Sequence, residues 1–152
     1  MNFTPRKAET DATTGIFFPE VSHCMATDEV TLHPDLTINK AIDILLNNKV
    51  TGVPVLDDHR VIVGWISEKD CLRIILDSAY NNLPYQDKTV ADYMSHVVKT
   101  VSINSDILDV ANEFLTTSYR KFPVINDEGQ LVGQVSRRDI LKAVRNIKNT
   151  TW

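Results

Sequence analysis

Phe122-Pro-Val-Ile-Asn-Asp-Glu-Gly-Gln-Leu-Val-Gly-Gln-Val-Ser-Arg-Arg-Asp139 occurs, in altered form, a second time in the chain. Sixty-nine positions earlier the sequence reads Val53-Pro-Val-Leu-Asp-Asp-His-Arg-Val-Ile-Val-Gly-Trp-Ile-Ser-Glu-Lys-Asp70. Pro54 falls on Pro123, Gly64 on Gly133, Ser67 on Ser136 and Asp70 on Asp139. The register holds without a gap from Val21/Val90 to Leu72/Leu141, and Met25/Met94, Thr31/Thr100, Ile38/Ile107 and Leu46/Leu115 also coincide. A fixed period of this kind means two copies of one supersecondary unit.

Working outward, 152 residues is the size of one domain. Each half is too small to bury a good core alone, so the halves are expected to pack on each other as one pseudo-symmetric module. The formal charge of -4 gives no reason to expect a nucleic-acid ligand. Cys24 and Cys71 have no metal-ligand spacing and read as buried thiols. No stretch approaches a membrane span, and the start Met1-Asn-Phe-Thr-Pro-Arg-Lys has no apolar run behind it to make a secretory signal. The expected compartment is the cytoplasm.

Residues 1–20 lack periodicity and read as an irregular arm, with Phe17-Phe18 expected to dock on the module or on a second subunit. The expected divisions after it are repeat 1 over 21–79, a linker over 80–89 and repeat 2 over 90–148, the prolyl stretch from 77 already belonging to the connection. Each repeat predicts a short strand (Val30-Thr-Leu32; Val98-Lys-Thr-Val101) and then a helix. Thr37 and Asp106 are the expected N-caps, before apolar stripes at i, i+3, i+4, i+7 and i+8. A hairpin follows, with Pro54 and Pro123 expected at a strand start or edge because proline has no N–H to donate. A second helix begins after Ser67 or Ser136. The fold class is therefore α/β (α+β), two β-α-β-β-α repeats.

This order of elements resembles a tandem pair of cystathionine-β-synthase (CBS) domains, a Bateman module, over about residues 21–148. The resemblance is carried by the Pro-Val strand, the Asp turn and Gly-x-x-Ser-x-x-Asp, each present twice in register. It implies a non-catalytic regulatory module that holds an adenosine-containing ligand (AMP, ADP, ATP or S-adenosylmethionine) in a cleft between the repeats. It also implies a homodimer.

Physical chemistry alone allows a plainer reading of Ser136/Asp139 and Ser67/Asp70: serine as N-cap with aspartate at N3, a variant of the capping box. The functional reading adds to it. One carboxylate can accept from both ribose hydroxyls, a serine hydroxyl can bond the sugar or the base edge, and a helix N-terminus offers N–H groups to a phosphate. By the resemblance, Asp70 and Asp139 hold ribose, with Ser67 and Ser136 beside them. The region around Arg120-Lys121 is similar to the gamma subunit of AMP-activated kinase, in which basic residues at the matching positions contact phosphates; Arg138 is also aimed near that helix start. In repeat 1 the corresponding residues are Thr51, Gly52 and Lys69. The resemblance also places Asp28, Glu29 and Val30 near the Ser136/Asp139 site, and Val97, Val98 and Lys99 near the Ser67/Asp70 site. His23, His33, His59 and His96 show no metal or triad spacing, and no nucleophile elbow or P-loop occurs. The expected function is sensing of an adenine nucleotide with transmission to an unknown target protein. The alternative is a constitutive interaction or dimerisation module with vestigial clefts. No catalysis, required cofactor, nucleic acid or membrane is expected.

Overall fold

The structure is a computed structural model and describes residues 18–82, 84–85 and 87–151. Most of the arm, Phe17 included, lies outside the described residues. Among them the order is a 3-10 turn (Val21–His23), α1 (Ile38–Asn48), β1 (Gly52–Leu56), β2 (Ile62–Ser67), α2 (Glu68–Asn81), α3 (Val90–Tyr93), β3 (Val101–Ser102), α4 (Ile107–Thr116), β4 (Lys121–Ile125), β5 (Leu131–Ser136) and α5 (Arg137–Thr151). β1 and β2 form an antiparallel hairpin, and β3-β4-β5 form a three-stranded sheet whose β3–β4 pair is parallel.

The helix starts follow from their caps. Thr37 accepts a hydrogen bond from the Lys40 N–H, and Asp106 from the Asp109 N–H at 2.9 Å while Asp109 accepts from the Asp106 N–H. That exchange explains why Asp106, a charged side chain, is buried. The apolar stripes bury Ile38, Ala41 and Leu45 on α1 and Ile107, Val110 and Phe114 on α4.

The expected β-α-β-β-α order needs one correction. The first strand of repeat 1 is reduced to a single parallel bridge, Leu32 to Val55, whereas repeat 2 forms β3. The cause is Pro34. Its counterpart Ile103 donates to the Ile125 carbonyl at 2.8 Å and extends the ladder; proline has no N–H with which to do so. Pro54 sits within β1, on the edge that was one of the two places expected, whereas Pro123 lies within β4, the middle strand of its sheet, against expectation. The Pro54 carbonyl accepts from Leu32, so its missing N–H faces the side of β1 that carries only that bridge. Finally, α2 runs on to Asn81, beyond position 77, where the connection was expected to begin.

By contacts the described residues divide into two compact units, one within 30–98 with 128–131, the other of 18–29, 99–127 and 132–151. Their cores use matching positions: Ile38/Ile107, Leu45/Phe114, Val53/Phe122, Val55/Val124, Ile66/Val135 and Cys71/Ile140. Compact unit and sequence repeat are different divisions, because each repeat's opening residues pack with the other repeat's elements. Val21 joins the core of α4, β4 and β5, and Val90 that of α1, β1 and β2. The helix starts are tied in the same way: the first N–H of α1 donates to Lys88 O at 3.0 Å and that of α4 to Pro19 O at 3.1 Å. Phe18 packs on the second of these cores. Among the described residues no helix is long and apolar enough to cross a membrane.

After each opening turn the chain crosses a hairpin. Ala26 pairs with Gln134 through bonds of 2.7 and 2.8 Å, and Ser95 pairs with Trp65 through bonds of 2.8 and 2.9 Å. Both crossings need a glycine beneath them. A Cβ on Gly133 would stand 2.7 Å from Met25 Sδ and 2.8 Å from the Ala26 carbonyl oxygen, and one on Gly64 would stand 2.9 Å from the Ser95 oxygen. The obstructing atoms include backbone, which cannot rotate away. Gly133→Ala is expected to destabilise the protein by about 1–3 kcal/mol, as overpacking does. Urea unfolding checks this; an unchanged midpoint would show that the crossing yields freely.

Candidate functional site

β5 ends at Ser136, where α5 begins. Ser136 N–H donates to Asp139 Oδ2 at 2.8 Å and Asp139 N–H donates to Ser136 Oγ at 3.1 Å, so the two side chains do cap the helix. The cap leaves capacity over: among the described residues Asp139 Oδ1 and the Ser136 hydroxyl proton have no partner. The Ala26–Gln134 pairing brings residues 26–29 alongside β5, with Asp28 exposed and Glu29 half-buried. Arg120, Lys121 and Arg138 are exposed and make no ion pair among the described residues. Arg137 is tied down instead, its Nε donating to the Tyr119 carbonyl at 3.2 Å and its guanidinium lying 6.0 Å from the Phe114 ring centre.

Cys24, which sequence reasoning left out of the site, stands close enough to feel Asp139. Burial pushes its thiol above the ordinary value, and the Asp139 carboxylate pushes it further. Cys71 is raised in the same way, by burial first and then by Asp70 and Glu68.

At the matching place on α2, Ser67 and Asp70 form a complete capping box. Asp70 Oδ2 accepts from both the Ser67 N–H and its hydroxyl at 2.9 Å, and the Asp70 N–H donates back to Ser67 Oγ at 3.2 Å. The second carboxylate oxygen takes Arg73 Nη1 at 3.2 Å. Ser67 and Asp70 are thus satisfied by their own neighbours, which is not so at Ser136/Asp139. The Asp70–Arg73 pair was legible as an i,i+3 spacing. Its counterpart in repeat 2, Lys142, makes no such bond. Thr51 supplies its carbonyl to the Glu68 N–H at 2.9 Å, and Gly52 lies under the Trp65 indole. Lys69 and Val97 are exposed and Val98 is half-buried. Val30 and Lys99 each belong to the compact unit that does not hold the motif they were expected to join, and Lys99 Nζ lies 3.0 Å from Glu113 Oε2.

The arrangement suits a ribose and, at Ser136/Asp139, an anion at a helix N-terminus flanked by cations. Among the described residues no group of three His, Cys, Asp or Glu is placed to hold a metal ion. His33 serves a turn: Nδ1 accepts from the Asp35 N–H, so Nε2 carries the proton and donates to Asp58 at 2.9 Å. Asn104 and Asp127 make the corresponding tie in repeat 2 at 3.3 Å.

A model of the CBS domain family matches residues 21–77 and again residues 90–146. The chain belongs to the CBS domain family. Among related CBS proteins, CBSX1 of Arabidopsis thaliana, a chloroplastic CBS domain-containing protein, is 27% identical over 140 residues, 77% of this chain and 59% of its own length. The chain therefore spans under two thirds of that relative. CBSX2 of the same plant, solved in complex with AMP, superposes with a TM-score of 0.72 at 28% identity, covering 85% of this chain and 98% of that one. MJ1225 from Methanocaldococcus jannaschii, described as a putative archaeal homolog of the AMP-activated kinase gamma subunit, gives a TM-score of 0.74 at 26% identity, with 84% of this chain and 50% of that one covered.

Because the Asp139 charge opposes ionisation of Cys24 in this CBS pair, Asp139→Asn should make Cys24 react faster with a thiol reagent near pH 8, measured in a Cys71→Ser background. Burial remains the larger effect, so the gain should stay below the reactivity of the unfolded chain. A rate unchanged by Asp139→Asn would separate the two side chains.

Proposed function

We propose that this CBS pair is a regulatory module that binds an adenosine-containing ligand, of the AMP, ADP, ATP or S-adenosylmethionine kind, chiefly on Ser136 and Asp139, and passes its occupancy to another protein. The observation that carries this is the spare bonding capacity of the Ser136/Asp139 cap beside unpaired Arg120, Lys121 and Arg138. The AMP bound to the related CBSX2 supports the ligand class. The reading assigns the chain no catalysis and no required cofactor. Occupancy acts by population shift, which needs only that the ligand bind one conformation better than another. A cytoplasmic setting belongs to the same reading, and the free thiols Cys24 and Cys71 accord with a reducing compartment. The alternative of vestigial clefts draws support at one place only, the self-satisfied Asp70.

Calorimetry with AMP, ATP and S-adenosylmethionine tests this. Asp139→Ala should lose most binding, since charge-assisted hydrogen bonds contribute about 1.5–3 kcal/mol each. It should lose only about 1 kcal/mol of stability as a cap. Asp70→Ala should keep the stronger AMP site, tighter by about tenfold than the one left by Asp139→Ala. Equal affinities, or no binding by any of the three ligands, would contradict the assignment.

The same proposal includes a homodimer. Leu46, Leu72 and Ile75 stand exposed around a groove of about 270 Å³ on α1 and α2, Leu76 is exposed on α2 as well, and Leu115 and Leu141 repeat the pattern on α4 and α5. Such patches mark interfaces. Sedimentation at tens of micromolar should give twice 17.2 kDa, and Leu72→Lys with Leu141→Lys should give the monomer with its melting temperature little changed. A wild-type monomer would refute the dimer.

A further inference from the structure

We propose that Trp65 sets the ligand class of the Ser67/Asp70 half-site, which takes an uncharged ribonucleoside in preference to a phosphorylated one. This deepens the reading above and rests on it in treating the Ser-x-x-Asp motif as a ribose grip.

The hairpin register pairs Gly52 with Ser67 and Pro54 with Trp65. Side chains alternate across a strand, so Gly52, Pro54, Trp65 and Ser67 share one face. Val53, Val55 and Ile66 take the other and are buried in the core. The face bearing the motif serine therefore also bears the indole. The indole lies against position 52: a Cβ there would stand 2.6 Å from Nε1 and 3.1 Å from Cε2. No side chain fits at 52 while Trp65 is in place. Position 52 is the counterpart of Lys121, and position 65 that of Gln134. The indole thus fills the room in which repeat 2 keeps a lysine.

The surrounding charges change in the same sense. Thr51 stands where repeat 2 has Arg120, and exposed Glu68 where it has Arg137. The positive charge of Arg73 is spent on Asp70. A phosphate arriving at α2 would meet one lysine, Lys69, with an acidic neighbour on either side. A nucleoside needs no cation. Its base can lie on a half-buried indole, a contact that tolerates any base because every base has a π-face. Its ribose hydroxyls have to compete with an ion pair whose arginine is exposed, although its aspartate is largely buried.

The test uses the full chain with Trp152→Phe, so that Trp65 is its single tryptophan, and Asp139→Ala to silence the other half-site. Adenosine should change the Trp65 emission and bind at least as tightly as AMP, and adding Asp70→Ala should abolish the change. Gly52→Lys combined with Trp65→Gln rebuilds the face of repeat 2, and calorimetry should then show AMP binding about tenfold tighter than before. AMP binding tenfold tighter than adenosine at the intact Trp65 site, or emission indifferent to both ligands, would overturn the proposal. The emission titration decides even where the double substitution disturbs folding. AMP binding by Asp70→Ala, which reads only Ser136/Asp139, separates failure of this proposal from failure of the functional reading.

Discussion

Gly64 and Gly133 each permit a close backbone approach in their respective units, and the rest of each unit depends on it. With only a hydrogen on the strand, a methionine sulfur and a backbone carbonyl can settle onto it. The crossing segment then forms two short hydrogen bonds to the hairpin. That docking fixes where residues 26–29 and 95–98 run and draws each repeat's opening turn into the core built by the other repeat. It also brings Cys24 within the field of Asp139. A methyl group at either glycine would meet a methionine side chain, which can move, and also a backbone carbonyl oxygen, which cannot rotate away.

Much of this was legible because the chain states its plan twice. Thr37 and Asp106 cap the helices they were expected to cap, and the apolar stripes bury Ile38, Ala41 and Leu45 and Ile107, Val110 and Phe114, since both depend on near neighbours in sequence, whereas the i+8 residues Leu46 and Leu115 stay exposed. What escaped prediction depended on distant partners or on a single residue breaking the repeat. Pro34 ends a ladder that Ile103 continues, a difference visible only once the acceptor is known. The exchange of opening segments between units is a tertiary choice that periodicity does not encode. In the candidate site the motif residues could be named from the duplication, and the cations Arg120, Lys121 and Arg138 through the family resemblance and their closeness in sequence to the motif. The indole over Gly52 could not, because a side chain crossing from one strand to the next leaves no local signature.

The two halves share a backbone plan and differ in what their polar groups have left to offer. Ser67 and Asp70 spend their bonds on each other and on Arg73. Ser136 and Asp139 make the same cap with fewer bonds, beside three unpaired cations. A capped helix start and a ligand grip are thus compatible uses of one motif: at Ser136/Asp139 a ligand meets spare capacity, and at Ser67/Asp70 it has to compete with Arg73. The repeats differ at Thr51/Arg120, Gly52/Lys121, Trp65/Gln134, Glu68/Arg137 and Arg73/Lys142, and these differences make the pair asymmetric despite its internal symmetry.

The central claim is that Asp139 holds a ribose, and the most direct measurement is a crystal structure of the full chain grown with AMP. Nucleotide is expected at the start of α5, with Asp139 Oδ1 within hydrogen-bond distance of a ribose hydroxyl and the phosphate beside Arg120, Lys121 or Arg138. Nucleotide bound elsewhere, or at α5 with Asp139 turned only to its own cap, would contradict it.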